Sequence, residues 1–579
     1  MALAPVLKKP GSISSPSALK VAFQVPTAEE IDVAASLKEA AENNGQGMLY
    51  RSLINAVKSQ ETSDAALIHL LRRIRKHMQL IARHNDDICG ALLKINLMQR
   101  SREVLDAFAR LALDLTSLHP YYLRNLVFAI LRIFMSPDAY SEDASVVDRE
   151  EKLATLHHII QEIIRLVPLS PKTIVSSVAE MFPYLKHDGR EQASLVRHLL
   201  RLCTYLPDQH LELLQLIVHK ALQLDLHSPK EEIEDCEDED EDEAIFSMDG
   251  NSKEKDAGGL KHPLADTLDR VMLQVYMFID DQCGVTGKGQ VTDWEKTKAL
   301  FKDFLAIFDR IILPTYKCCH LQFVMFYLSS LKPALLEGFL DYLWKKVQNP
   351  NTAPVIRQAA AFYIGSLLAR GKFVPLSTVQ DCLALLCKWA HFYVTSHGEG
   401  AVQADVRRHG TFYAVCQTVL YIFAFHHKDL TATNKGLQFL RSLNLEALVM
   451  SPLNPLRVCL PAVVQRFANV ARHYQLVYCY TLLERNRRNA FPEATAENAP
   501  TTLECFFPFD PYLLPRTGKY IHPLYRQFEG SAEETDEEME EEEGSIVEDD
   551  PKSPAGSVVD MFSYGTSPGF KQVHSGPLR

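Results

Sequence analysis

The sequence predicts an all-α protein, a helical-repeat solenoid of short helices in antiparallel pairs with a disordered acidic insertion and disordered tails. Three observations predict it. Apolar residues recur at spacings of three and four along nearly the whole chain from about residue 30. The breaks between these stretches are short and made of Pro, Gly, Asp and Ser. No segment alternates apolar and polar residues between hairpin turns, so essentially no sheet is expected.

The stretch Asp64 to Arg83 shows the helical spacing. Leu67, Leu70, Leu71, Ile74, Met78 and Ile81 form one apolar stripe, with Arg72, Arg73, Arg75 and Lys76 off it. Similar stretches run Arg102–Leu118, Tyr121–Phe134, Glu150–Leu166, Ser170–Leu185, Arg190–Tyr205 and His210–Leu226. The clearest pair spans Pro333 to Arg370: one helix ends near Gln348 and the next begins near Ala353. Within the second, Val355-Ile356-Arg357-Gln358-Ala359-Ala360 resembles the HEAT-repeat signature, in which small alanines let paired helices approach closely. An irregular all-helical domain is the competing architecture. The apolar run Phe412 to Phe425 is interrupted by Gln417 and Thr418 and is too short for the roughly 20 residues a bilayer needs, so it reads as a buried helix.

Charge is unevenly spread. The formal net charge is −12, yet Glu231 to Glu243 holds eleven carboxylates in thirteen residues and Glu533 to Asp550 holds twelve more. Setting those 23 aside leaves 50 of the 73 acidic residues against 61 Lys and Arg, so the body is mildly basic. Such runs repel themselves and cannot form a core. The predicted organisation is a disordered tail over 1–27, helical repeats over 28–227, an acidic disordered insertion over 228–261, helical repeats over 262–490, an aromatic and Pro-rich extended segment packed on the repeats over 491–530, and an acidic disordered tail over 531–579. Within 491–530 the aromatic-rich stretch Phe506 to Tyr525 would be sticky if free. Residues 1–27 lack the continuous apolar core of a signal peptide, and most of the twelve cysteines sit in apolar helical patterns, as reduced thiols do. A soluble intracellular protein with no membrane contact is expected.

The search for chemistry excludes more than it finds. There is no HExxH and no GxSxG, and Gly284 to Gly289 lacks the spacing of a phosphate-cradling loop. Cys318-Cys319-His320 and Cys382, Cys387 and His391 carry metal-capable atoms without a CxxC pair, so no metal and no cofactor is expected. His426-His427 reads as a cationic end to an apolar helix. Enzyme is therefore the disfavoured class. Lys345, Lys346 and Arg357 flank one inter-helix turn, Arg370 and Lys372 end the next helix, and Arg485, Arg487 and Arg488 form another cluster. These are candidate contacts to the DNA backbone, and equally a solvated face.

Modifiable serines remain. Ser170-Pro171-Lys172 is a minimal proline-directed phosphorylation site with Ser176 and Ser177 following, and Ser170 also stands where a helix N-cap belongs. The two readings are compatible. Thr535, Ser545, Ser553 and Ser567 are candidate phosphorylation sites in the tail.

Several stretches together resemble the transcription initiation factor IA family, the growth-regulated factor of RNA polymerase I. They are "LPTYKCCHLQFVMFYLSSL" (Leu313–Leu331), Phe339–Leu376, "MSPLNPLRVCLPAVVQRFA" (Met450–Ala468), "YQLVYCYTLLERNRR" (Tyr474–Arg488), "FFPFDPYLLPR" (Phe506–Arg516) and, in the first half, "VPLSPKTIVSSVAEMFPYL". The resemblance covers about residues 100 to 525. It implies a HEAT-repeat, non-enzymatic, nuclear and largely nucleolar protein that binds RNA polymerase I and a promoter-bound selectivity complex. It further implies a serine-bearing polymerase interface controlled by regulatory kinases, which maps here to Ser170, Lys172, Ser176 and Ser177. The free chain is a candidate homodimer. The rival reading is a HEAT-repeat nuclear transport receptor or another protein-binding adaptor.

Overall fold

The structure is a computed structural model that describes residues 31–43, 47–81, 85–136, 145–236, 259–286, 291–316, 318–397, 405–488, 503 and 507–528. Among these residues there are helices and two isolated β-bridges but no strand. The chain divides into two compact units, Met1–Ile133 with Asp138–Met181, and Phe134–Pro137 with Phe182–Arg579.

The first unit holds α1 (Val33–Glu42), α2 (Met48–Lys58), α3 (Asp64–Lys76), α4 (Asp86–Leu92), α5 (Arg102–Leu118), most of α6 (Leu123–Phe134), α7 (Ser145–Leu166) and α8 (Ser170–Met181). The predicted stripe of α3 is fully buried and packs that helix on α5, which in turn packs on α7. Ser63 starts α3 by accepting a hydrogen bond from the Ala66 N–H. The helix stops at Lys76, short of the predicted Arg83, because His77 leaves the helical region (φ −105°, ψ 22°). A 3-10 turn, Met78–Leu80, then keeps Met78 and Ile81 in the core. Helix α8 likewise ends before the predicted Leu185, since Pro183 disfavours helical backbone at Phe182.

The second unit contains α9 (Gly189–Cys203), α10 (His210–Leu226), α11 (230–236) and α12 (Pro263–Cys283). Helix α11 corrects the expected insertion, whose composition hid one amphipathic turn. Lys230 and Ile233 point inward while Glu231, Glu232 and Glu234 face solvent, and Lys230 Nζ donates to the Pro511 carbonyl at 2.8 Å. The rest of the acidic run lies outside the described residues. Because α12 packs on both α9 and α10, the insertion falls inside a unit and not between two halves divided at residue 227.

Beyond it come α13 (Trp294–Ile307), continued by a π-turn over Phe308–Ile312, then α14 (Phe323–Ser330), α15 (Pro333–Gln348), α16 (Pro354–Arg370), α17 (Leu376–His397) and α18 (Val406–Thr431). The last elements are α19 (Asn434–Ser442), α20 (Leu445–Val449), α21 (Pro455–Val458), α22 (Pro461–His473), α23 (Tyr480–Arg488) and α24 (Pro515–Ile521). The paired helices α15 and α16 match the predicted repeat. Ala360 and Ala361 are buried, and a Cβ on Gly365 would stand 3.0 Å from Thr418, so small residues on α16 do admit α18 closely. Helix α18 is buried all round from Thr411 to Ala424, as a helix at the centre of a core must be. Its polar interruptions are satisfied: Gln417 Oε1 accepts from the Leu460 N–H, and Thr418 Oγ1 donates to the Ala361 carbonyl. No described helix is long and apolar enough to cross a membrane. His426 is no terminal cation. It lies inside α18, 1% exposed, bonds the Leu368 carbonyl through Nε2 at 2.8 Å, and burial holds its pKa below the ordinary imidazole value.

Residues 507–528 form a strap across this unit. Phe509 packs against Phe323, Phe326 and Tyr363, and Phe507 stacks on Tyr421. The strap is extended except at a turn over Pro508 and Phe509, at α24 and at a 3-10 turn over His522–Leu524. Its backbone is pinned at intervals. The Phe509 N–H donates to Ser366 Oγ, the Arg516 and Thr517 N–H groups donate to Asp269, and Lys372 N–H donates to the Leu524 carbonyl. Arg370, expected on a solvated surface, is fully buried beneath the strap.

Candidate protein-interaction surface

The serine patch is built where α7 turns into α8. Leu169, not Ser170, is the helix cap: its carbonyl accepts the Thr173 N–H, and Ser170 is the first helical residue. Ser170 is 0% exposed, and its Oγ donates to the Ile163 carbonyl at 3.4 Å. Ser177 is also 0% exposed and donates to the Thr173 carbonyl at 2.7 Å. The two therefore belong to the core stripe with Ile174 and Val178, and neither presents a hydroxyl to a kinase or a partner. Ser176 and Lys172 are exposed on the opposite face, Ser176 Oγ bonding the Thr173 carbonyl at 3.0 Å.

Residues the sequence reading missed complete this face. Leu169 is 74% exposed and Leu166 53%, beside Lys172 and Ser176. Toward the end of α8, Glu180 pairs with Arg124, whose guanidinium sits 5.3 Å from the Phe128 ring. Leu169, Lys172, Ser176 and Glu180 thus run along one side of the helix as an apolar, then basic, then hydroxyl, then acidic strip. The signal for Leu169 was present, an apolar residue between Pro168 and the helix start that no core stripe claims.

Of the candidate DNA contacts, Lys345, Lys346 and Arg357 are each engaged within the chain. Lys345 pairs with Asp341 at 2.6 Å on its own helix. Lys346 pairs with Asp309 in the π-turn at 2.7 Å and lies 5.5 Å from the Tyr342 ring. Arg357 Nε donates to the Val347 carbonyl at 2.8 Å, capping the end of α15. The tail residues Thr535, Ser545, Ser553 and Ser567 lie outside the described residues.

Cys318, Cys319 and His320 surround a buried carboxylate. Asp225, at the end of α10, accepts from the backbone N–H groups of Cys319, His320 and Leu321 and from Cys318 Sγ at 3.0 Å, with His320 Nδ1 also at 3.0 Å. Burial alone would raise its pKa. The hydrogen bonds from His320 and Cys318 reverse that and hold it below the ordinary carboxylate range. The arrangement locks the 318–321 loop onto α10. Among the described residues no group of three or more His, Cys, Asp or Glu is arranged to hold a metal.

Comparison with known proteins adds the rest. Residues 27–533 match the family model described as RNA polymerase I specific transcription initiation factor RRN3. The RNA polymerase I-specific transcription initiation factor RRN3 of Mus musculus is 37% identical over 534 residues, covering 86% of this chain and 81% of the relative. The Schizosaccharomyces pombe factor rrn3 is 26% identical, covering 88% of each chain. A crystal structure of RNA polymerase I transcription initiation factor Rrn3 superimposes with a TM-score of 0.70 at 20% identity, covering 87% of this chain and 99% of that one. This likeness supports the helical-repeat fold, while the family match displaces the transport-receptor alternative. The chain belongs to the family of RNA polymerase I-specific transcription initiation factors.

Proposed function

We propose that this chain works without catalysis, as an adaptor that holds RNA polymerase I near a promoter-bound selectivity complex for ribosomal RNA gene transcription in the nucleolus. The observation that carries the reading is the exposed strip of α8, which joins an unpaired apolar anchor, Leu169, to a basic residue and an accessible serine. Contiguous exposed apolar surface rimmed by polar groups marks protein-binding sites, and Leu166 and Leu169 are both exposed here. Tethering two large partners raises the effective concentration of one near the other and needs no active site. A phosphate on Ser176 would add about two negative charges to that strip and weaken an acidic or apolar contact. Within 28–227, this is the polymerase-facing element. The candidate tail sites, Thr535, Ser545, Ser553 and Ser567, offer kinases a second point of control.

The test is retention of purified RNA polymerase I by immobilised wild-type protein and by Leu169→Glu. Loss of retention at an unchanged melting temperature is expected. Equal retention by both proteins would remove α8 from the interface.

A further inference from the structure

A second surface, remote in sequence from α8, has the chemistry of a single-stranded nucleic acid site. Helix α22 ends in a left-handed residue that is not glycine: Gln475 has φ 52°, and the Leu476 N–H reaches back to the Ala471 carbonyl at 2.8 Å. Holding a side-chain-bearing residue there is strained, and such strain gathers at functional positions. The reversal brings the end of α22 beside the start of α23. Tyr480 is fixed there, its hydroxyl donating to Asn469 Oδ1 at 2.7 Å and its ring lying 5.4 Å from the Arg472 guanidinium. Tyr478 stands next to it, ring centres 6.1 Å apart, with 61% of its surface exposed.

Helix α23 is anchored at two points. Leu482 is buried beneath it, and Asn486 exchanges two amide hydrogen bonds with Asn454, at 2.7 and 3.2 Å. Arg485, Arg487 and Arg488 are exposed in its last turn. Arg485 and Arg488, one turn apart, line an open cleft of about 490 Å³ with Tyr478, Tyr480, Thr481 and Glu484. From Arg472 to Arg488 there are four arginines and a single acid, in a chain whose net charge is −12.

Arginines at a helix C-terminus also complement its dipole. The dipole does not account for the exposed ring of Tyr478 on the cleft wall, nor for the strained turn that sets it there. We infer that this cleft binds single-stranded nucleic acid, bases stacking on Tyr478 while Arg472, Arg485, Arg487 and Arg488 neutralise phosphates. The bases supply no reading of sequence here, since every base has a face to stack.

The experiment is fluorescence anisotropy of the full chain with a labelled single-stranded DNA of roughly 16 nucleotides, over a range of salt concentrations. Four phosphate contacts predict a slope of log affinity against log salt of about −3. The double variant Arg485→Glu/Arg488→Glu should lose at least about tenfold in affinity, and about half of that slope. Tyr478→Ala should weaken single-stranded binding by about tenfold with little change in slope, and Tyr478→Phe should restore it. Blunt duplex of the same sequence should not respond to Tyr478→Ala. Wild-type binding by both the double variant and Tyr478→Ala overturns the inference. So does tighter binding of a polyglutamate peptide than of DNA, lost in the double variant and indifferent to Tyr478, because the cleft would then be a site for acidic polypeptide. Unchanged melting temperatures separate either result from unfolding.

Discussion

The guanidinium of Arg370 lies 5.2 Å from the ring of Tyr525, and neither side chain is more than 5% exposed. The Phe425 ring, 4.8 Å away, covers the same cation, and Arg370 Nη1 reaches the Arg526 carbonyl at 3.4 Å. Residues more than 150 positions apart in the chain thus complete one another. Burying a charge is costly unless rings and acceptors replace its water, so the strap is structural.

Shortening the chain after Glu504 should therefore lower the melting temperature of the second unit. It uncovers Phe323, Phe326 and Tyr363 and strips Arg370 of Tyr525. A single change, Phe509→Ala, removes a fully buried ring and should cost about 3–5 kcal/mol. Urea denaturation of both variants checks this; a midpoint equal to wild type would show the strap to be energetically idle.

What the sequence disclosed follows from which forces are local. Helices α5 and α10 fall on their predicted limits, Arg102–Leu118 and His210–Leu226, because periodicity and the breaks beside them are properties of a few adjacent residues. Ser170 and Ser177 were misplaced for an instructive reason. Their spacing from Ile174 and Val178 already set them on the core stripe, but a hydroxyl suggested solvent. A nearby carbonyl satisfies each hydroxyl instead. The burial of Arg370 and Asp225 was not legible, since their partners come from distant segments that no spacing rule connects. Lys346 and Arg357 are similar, since no spacing rule announces the Asp309 carboxylate or the Val347 carbonyl that engages them, whereas the Asp341 partner of Lys345 lies four residues before it on the same helix.

Asp225 sets an acid limit on stability. Its pKa is depressed in the folded chain, so its contribution is fully present above the unfolded carboxylate value of about 3.9 and is lost as pH falls through the folded value. Asp269 acts in the opposite sense. Burial raises its pKa against the hydrogen bonds from Thr517 and Arg516, so the stability linked to its protonation fades as pH rises through the folded value. Asp225→Asn places an amide among N–H donors and should cost about 3 kcal/mol near neutrality, with a smaller penalty below about pH 4. Denaturant midpoints of the two proteins across acid pH measure the difference; a penalty constant with pH would show that the lost stability comes from packing and not from the carboxylate's charge.

The serines of α8 offer the sharpest separation of structure from function. Ser170→Asp puts a carboxylate where 0% of the residue is exposed and the neighbouring oxygen is the Ile163 carbonyl, another acceptor. Dipole attraction at the helix N-terminus is worth at most about 2 kcal/mol and does not offset the desolvation of a buried carboxylate. The variant should lose about 3 kcal/mol of stability, and any loss of polymerase binding would follow from unfolding. Ser176→Asp changes an exposed position, so its stability should hold within about 0.5 kcal/mol of wild type. If the α8 strip meets RNA polymerase I, this second variant alone loses affinity at unchanged stability, and Ser176→Ala binds as wild type. Calorimetry and polymerase capture on the same preparations decide it. Wild-type binding by Ser176→Asp, or a stable Ser170→Asp that binds poorly, would move the phosphorylation-sensitive contact away from Ser176.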